Sequence, residues 1–517
     1  MTGRRGRMKS WVRVLRRTGK DRRQPGMAVQ GVLISSLVGM LSLVAGIALL
    51  PIVASSVGTA PYGLWIFLIT LTSFFGYGDL GVYSAIVHFG SRTRAGVGQY
   101  SMSQLMTAGV VWSVLVAAVV VPIYVLLGWL FARSHAEILG MSDSTLMLLV
   151  ALGGLVAGMA VTRPFSGAMI GAGQLLLDKR AHLVTLIFRV VGTLIAALGF
   201  KSIVAVAVVE TIATALPSLM IIPYVLRHVA HLSFRRDALR PLGMMLGYSA
   251  KSLLTSIPLG VVVGGGTIIL GLVQGPVQVT YFSLANRVAS GLRTVLAWML
   301  EPFRSALSRL AADDRDEHVR KARSLSFAAM SLIATSAGFI GVSAFWLVGI
   351  WVGDSMPVDV IATTVVIMMG GLVLESLVTP LILTGDTMGR PGVFLAPQVL
   401  WAALFLLLGP WLGGLWSSVG IAVAASVPLL VAGPWYLYVA WKRLDFSLGS
   451  WWAEAVLPTL TLVLPALALA LVALWQCGQS FPWAPGAVFA AAGLATLFRI
   501  RHRLPIADLK STLKVRM

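Results

Sequence analysis

The side chains best able to do chemistry are gathered in one stretch, Gln278 to Arg304, reading QVTYFSLANRVASGLRTVLAWMLEPFR. It is long and apolar enough to cross a bilayer, yet Arg287 and Arg293 lie inside it and Glu301 and Arg304 near its end. At the centre of a membrane helix each such charge costs roughly 2.5–3.5 kcal/mol. A helix that only fills a bilayer has no reason to carry them, so this one is expected to line a polar cavity within a bundle. On a helix the two arginines stand about 9 Å apart along the axis and about 120° apart around it, so one of them can face such a cavity more squarely than the other. Glu301 and Arg304 are i,i+3 neighbours beside Pro302 and read as an interfacial pair at the rim rather than as a ligand contact.

The elements that must position these charges are membrane spans. The chain has 517 residues, 57% hydrophobic and 11% charged, with a mean hydropathy of +0.88. A soluble protein carries about 25% charged residues, and a span needs about 20 predominantly apolar ones. The composition therefore describes a polytopic membrane protein. The net charge of +21 would point to nucleic acid in a soluble chain, but its distribution assigns it to the membrane instead. The single cysteine, Cys477, excludes an intramolecular disulfide and any multi-cysteine metal or redox site.

Hydropathy predicts fourteen spans, at about 29–56, 62–89, 104–131, 144–171, 181–200, 203–226, 244–271, 278–303, 324–352, 358–385, 392–414, 417–440, 452–475 and 482–498. With the N-terminus inside, the exterior loops hold only Arg133 and Lys201 of the 40 Lys and Arg. Arg163, Arg189, Lys251, Arg287 and Arg293 fall within spans, and all the others lie in the tails and the cytoplasmic loops. That asymmetry places both termini in the cytoplasm and excludes nucleic acid as a partner. The basic stretch 1–27, with Asp21 its only acid, is a positive-inside tail or a short amphipathic segment suited to an anionic membrane surface. The run after it is too long for a signal-peptide core. No exterior loop has room for a catalytic domain, and the longest cytoplasmic loop, about 304–323, is charged and helix-like.

Spans 1–6 and 7–12 share a layout. Each set opens with two spans joined by a small-residue turn, SSVGTAPYGLW or GLVQGPVQVTYF, with Tyr62 or Tyr281 starting the next helix. Six spans per half give both halves one orientation, hence a parallel repeat with its site between them. The expected fold is all-α, with a tail at 1–27, lobes at 28–228 and 229–441, helices 13–14 at 442–498, and a basic tail at 499–517.

With ASSVGTAPYGLWIFLITLTSFFGYGDLG opening it, the chain resembles the bacterial polysaccharide transporters. These are the O-antigen flippases of the multidrug/oligosaccharidyl-lipid/polysaccharide (MOP) exporter superfamily. The resemblance is carried by Gly58, Tyr62, Gly63 and Leu64, then Gly78, Asp79, Leu80 and Gly81. In the second half it is carried by Tyr281, Ala285, Arg287 and Pro302, and later by Gly420 with Ala422. It implies two rocking lobes that carry a lipid-linked oligosaccharide between leaflets, through a cavity lined mainly by spans 1, 2, 7 and 8. The substrate it implies is a polyprenyl-pyrophosphate-linked, anionic glycan. Arginine suits that cargo because its planar guanidinium grips phosphate oxygens bidentately.

On that footing Arg287, Arg293 and Lys251 are the candidate cavity cations, Lys251 being equally able to snorkel to the interface. Asp79 is the candidate acid for coupling or for pairing an arginine, although its glycine-rich setting equally suits a kink. Arg163, Arg189, Glu210 and Glu375 are expected to pair between helices or to sit at the interface. No catalytic constellation, metal-ligand spacing or phosphate-binding loop occurs, so no cofactor is expected and movement must draw on an ion gradient, membrane potential or substrate flux. The expected partners are membrane lipid, a polysaccharide polymerase and glycosyltransferases. A lipid II flippase or cation-coupled drug exporter of the same superfamily is the principal alternative; a membrane glycosyltransferase or ligase and a transport-dead scaffold are remoter ones.

Overall fold

Apolar segments surrounded by lipid must satisfy their backbone polar groups internally, which an isolated segment achieves only as a helix. In the computed structural model, which describes residues 25–76, 81–233, 236–313, 315–444, 446–477 and 480–500, every regular element is helical. The first half runs α1 (Pro25–Val57), α2 (Thr59–Gly76), α3 (Val82–Arg94), α4 (Met102–Ser134), α5 (Asp143–Gly158), α6 (Arg163–Gly171), α7 (Leu175–Leu194) and α8 (Ile203–His228). The second runs α9 (Leu242–Gln274), α10 (Pro276–Asp313), α11 (Arg315–Val342), α12 (Ala344–Val352), α13 (Val358–Thr387), α14 (Leu395–Ser426) and α15 (Leu429–Leu444). The final pair is α16 (Leu457–Cys477) and α17 (Ala484–Ile500).

Ten helical runs are long and apolar enough to cross a membrane. One of these, Gly392–Leu444, doubles back on itself at Trp416 and Ser417, where Ser417 takes φ 51° and ψ −130°. Gly420 consequently lies against the Leu412 carbonyl, a contact that a straight helix could not make. Counting that run twice, and adding α2 with α3, the charge-bearing α10 and the short α17, gives fourteen passages among the described residues.

Two expectations are corrected in detail. The span at 62–89 is two helices, α2 and α3, because Gly81 at φ 73° starts the second one afresh; residues 77–80 lie outside the described chain. The span at 324–352 breaks at Ser343 into α11 and α12. The charged segment 304–323 is helical on both sides of residue 314, as its sequence suggests, since α10 runs on to Asp313 and α11 begins at Arg315. His318 on α11 is fully buried, with its Nε2 2.9 Å from the Thr387 hydroxyl.

The buried cores follow the halves. Two consist almost wholly of residues before 246, and the largest runs from Val262 to Val456. Ala54 on α1 joins the later core and Val279 on α10 joins an earlier one. These crossovers mark the seam near the Gly58 and Gly275 turns, where α2 lies against α10. Thr280 Oγ1 donates to the Thr59 carbonyl at 2.7 Å. Gly63 sits so close to the Pro276 carbonyl that a Cβ would have no space. Nearer the opposite end His88 on α3 stacks on Tyr248 of α9, ring centroids 4.8 Å apart.

α1 contains Pro51, which supplies no N–H to the Ile47 carbonyl one turn earlier. The Trp351 indole N–H on α12 donates to that carbonyl at 3.0 Å.

Gly63→Ala should therefore force α2 and α10 apart. A cost of about 1–3 kcal/mol is expected, read as a lower thermal unfolding midpoint of the purified protein. Unchanged stability would refute the close approach.

Candidate functional site

Arg287 sits on α10 about three turns in from Pro276. Ser283, Asn286 and Ser290 surround it on the same helix, and across from it α1 presents Gly46. A side chain at Gly46 would occupy the space of the Arg287 guanidinium, so the absence of a Cβ there is what lets the arginine lie against α1. These residues form one wall of a cavity of about 380 Å³. The other walls are α2 from Tyr62 to Thr70, Thr267 of α9, and the faces of α7 and α8 that carry Arg189, Thr193 and Glu210.

Arg189 and Glu210 meet across α7 and α8, with Nε 3.1 Å from Oε2. Thr193 adds a donated hydroxyl to Glu210 Oε1 at 3.4 Å, and Arg189 Nη2 donates to Thr214 Oγ1 at 3.4 Å. Arg287 is exposed to the cavity, and no described carboxylate pairs with it. Among the described residues the charged groups on the walls are thus two arginines and one glutamate, a net positive set in which no carboxylate pairs with Arg287.

Arg293 belongs elsewhere, and the expectation that it serves as a cavity cation is corrected. The rotation along α10 turns it towards α13, where Nε lies 2.9 and 3.1 Å from the two Glu375 oxygens and Nη2 lies 2.7 Å from Oε2. Such a fork satisfies both charges away from water. Glu301 and Arg304 form an i,i+3 pair at 3.3 Å away from the cavity wall, and Arg304 also reaches Asp386 of α13 at 3.1 Å. Lys251 lies on α9, but its side chain is outside the described residues, as is Asp79 altogether. Arg163 opens α6 and is not on the cavity wall. Among the described residues no cluster of three His, Cys, Asp or Glu could hold a metal.

From the sequence, Arg189 and Glu210 are expected to pair between helices or to sit at the interface, with no partner named, and neither is placed on the cavity. The available signal was that both are ionisable residues inside apolar spans, the same signal that singled out Arg287. What hid them was the implied lining by spans 1, 2, 7 and 8, whereas α7 and α8, the fifth and sixth, supply a full wall.

A family profile described as "Polysaccharide biosynthesis protein" matches residues 28–302. The chain belongs to that family. Among solved structures it resembles a lipid II flippase, MurJ, in an inward closed conformation, with a TM-score of 0.70 and 12% identity over 92% of this chain and 99% of that one. It also resembles a mutant of the Vibrio cholerae MATE transporter VcmN, with a TM-score of 0.55 and 15% identity over 81% of this chain and 97% of that one. A third is a multidrug-resistance MATE transporter of the MOP superfamily in an inward-facing conformation, at 0.52 and 15% over 80% and 99%. No curated protein matches. At these identities the likeness is one of fold: this polysaccharide-biosynthesis family member is a multi-pass membrane protein with the MOP transporter architecture.

Breaking the Arg293–Glu375 pair should damage folding rather than transport selectivity. Arg293→Ala leaves a carboxylate stranded on a side chain only 8% exposed, an expected loss of about 3–5 kcal/mol. Replacing both partners with Met and Leu should recover most of it, measured as thermal stability and membrane abundance. If Arg293→Ala kept wild-type stability, the pair would not have the structural role assigned to it.

Proposed function

We propose that this protein is a flippase for a lipid-linked oligosaccharide. It carries a polyprenyl-pyrophosphate-linked repeat unit across the cytoplasmic membrane for cell-surface polysaccharide biosynthesis. The observation that carries the reading is Arg287, a guanidinium that no described carboxylate pairs with, on the wall of a cavity between the two halves of a polysaccharide-family transporter. A pyrophosphate offers the oxygens that such a fork binds, and the Arg189–Glu210 pair beside it can exchange one of its contacts for phosphate. A cation-coupled drug exporter fits less well, because the described wall charges sum to a positive interior that repels a cationic cargo.

The size of the cavity adds a mechanical requirement. At about 380 Å³ it lies near the low end of the roughly 300–1,000 Å³ of small-ligand sites. It can house a phosphate head with a sugar, but a longer glycan needs the halves to part. Alternating access by lobes at 28–228 and 229–441 meets that need, with the seam between α2 and α10 opening on the exterior side. Lys251 on α9 is a further proposed head-group cation, and Asp79 is the proposed coupling acid. The same reading places both termini in the cytoplasm and makes glycosyltransferases the suppliers, and a polymerase the consumer, of the cargo.

Arg287→Ala should lower transport about ten- to a hundredfold, the effect of one lost charge-assisted contact. Membrane abundance should stay near wild type, since no ion pair among the described residues is broken. Arg287→Lys should retain part of the activity. The measurement is surface polysaccharide in a strain depending on this chain, with flipping in proteoliposomes as the direct assay. Wild-type flipping by Arg287→Ala would sink the proposal.

A further inference from the structure

The two arginine–glutamate pairs inside the bundle are built differently. Arg293 and Glu375 meet as a fork with contacts of 2.9, 3.1 and 2.7 Å, and the Glu375 side chain is 8% exposed. Arg189 and Glu210 meet at a single point. Arg189 Nε lies 3.1 Å from Glu210 Oε2, yet its N–H is not directed at that oxygen and makes no hydrogen bond. The Glu210 side chain is 28% exposed and stands on the cavity wall. The first pair is fixed; the second is open to competition.

Each member of that second pair also holds a threonine. Arg189 Nη2 donates to Thr214 Oγ1 at 3.4 Å, and the Thr214 hydroxyl hydrogen goes to the Glu210 main-chain carbonyl at 2.8 Å, which fixes Oγ1 as an acceptor. Thr193 donates to Glu210 Oε1 at 3.4 Å. A hydroxyl both donates and accepts, so Thr193 serves a carboxylate and, by turning, a carboxylic acid. Separation of the pair is therefore provided for: Arg189 keeps Thr214 and Glu210 keeps Thr193.

Among the described residues, the charged and titratable groups that share the cavity with Glu210 are Arg189 of α7, Arg287 of α10 and Tyr62 of α2. α1 and α9 present Ser42 and Thr267 there but no charge. Of the other helices packed on α8, α5 carries only Asp143, in its first turn and paired with Arg133, and α6 only Arg163, away from the cavity wall. An anionic ligand that takes Arg189 leaves the Glu210 carboxylate beside a phosphate. Two like charges sharing one site disfavour each other's ionised form, and a phosphodiester is by far the stronger acid. The carboxylate is the group that gives way.

We propose that Glu210 is a proton site coupled to cargo binding. As a phosphate oxygen replaces Glu210 on Arg189, Glu210 takes one proton from the cavity water; when the cargo leaves, it returns the proton and the pair re-forms. The balance is one ion-pair contact broken, one Arg189–phosphate contact formed and one O–H bond formed on Glu210. Cargo and proton thus occupy the cavity together. The inference rests on the pyrophosphate cargo assigned above, and it names a proton site separate from Asp79.

The test is calorimetric titration of the purified full-length protein with synthetic farnesyl-pyrophosphoryl-N-acetylglucosamine, whose two phosphates stay ionised around neutral pH. Repeating it in buffers of different protonation enthalpy counts the protons taken up. Wild type should take up about one proton per ligand, and its affinity should fall about tenfold per unit rise in pH wherever free Glu210 is ionised and bound Glu210 protonated. Glu210→Gln, which keeps the shape and the Thr193 contact, should bind without proton uptake and with an affinity constant to within about twofold across the same range. The wild-type proton count needs no variant, so the inference stays testable should Glu210→Gln fold poorly. Ligand binding without proton uptake would overturn it and leave the flippase reading intact. No ligand binding at all would sink both. Uptake undiminished in Glu210→Gln would overturn the assignment to Glu210, and its loss in Asp79→Asn instead would move the proton to Asp79.

Discussion

A charge held inside a lipid-surrounded bundle must find either a partner or water, and that constraint accounts for much of the arrangement found here. α10 carries two arginines into the membrane and resolves them in opposite ways. Arg293 is matched by both oxygens of the buried Glu375. Arg287 faces an accessible cavity, with Gly46 leaving room for it. The first is affordable because the fork satisfies the charge, the second because the cavity admits water. The same rule explains why Arg189 is tied to Glu210, yet on a wall where a stronger anion could compete.

The cavity exists because two sets of helices with separate cores meet along a seam rather than merging. Close approach at Gly63, the Thr280–Thr59 hydrogen bond and the His88–Tyr248 stack join the halves near the two ends, while the middle stays open. Contacts of this kind are small and replaceable. They hold one arrangement without the wide apolar interface that would lock the halves permanently.

Much of this could be read before any coordinates. Long uncharged runs announced their helices, and the scarcity of Lys and Arg in alternate loops organised them. The reversal at Trp416 and Ser417 fell between the expected spans. Arg287 was legible for a simple reason: an unneeded charge in an apolar run is costly wherever it sits. The partner of Arg293 was not legible, since Glu375 lies on a different helix 82 residues away and nothing local points to it. Nor was the wall formed by α7 and α8, because which face of a span meets a cavity depends on how neighbouring helices rotate. The break between α2 and α3 was within reach, as Gly76, Gly78 and Gly81 flank it, but hydropathy alone favoured an unbroken span.

The Trp351–Ile47 hydrogen bond has a further consequence. Pro51 has already removed the internal bond that would stiffen α1 at Ile47, so bending there breaks no helical hydrogen bond beyond the one never formed. The only described donor to that carbonyl comes from α12, in the other half. Gly46, the residue that gives Arg287 its place, is adjacent. α1 therefore lacks one internal hydrogen bond beside the cavity arginine, and the carbonyl so released ties it to an indole from the other half.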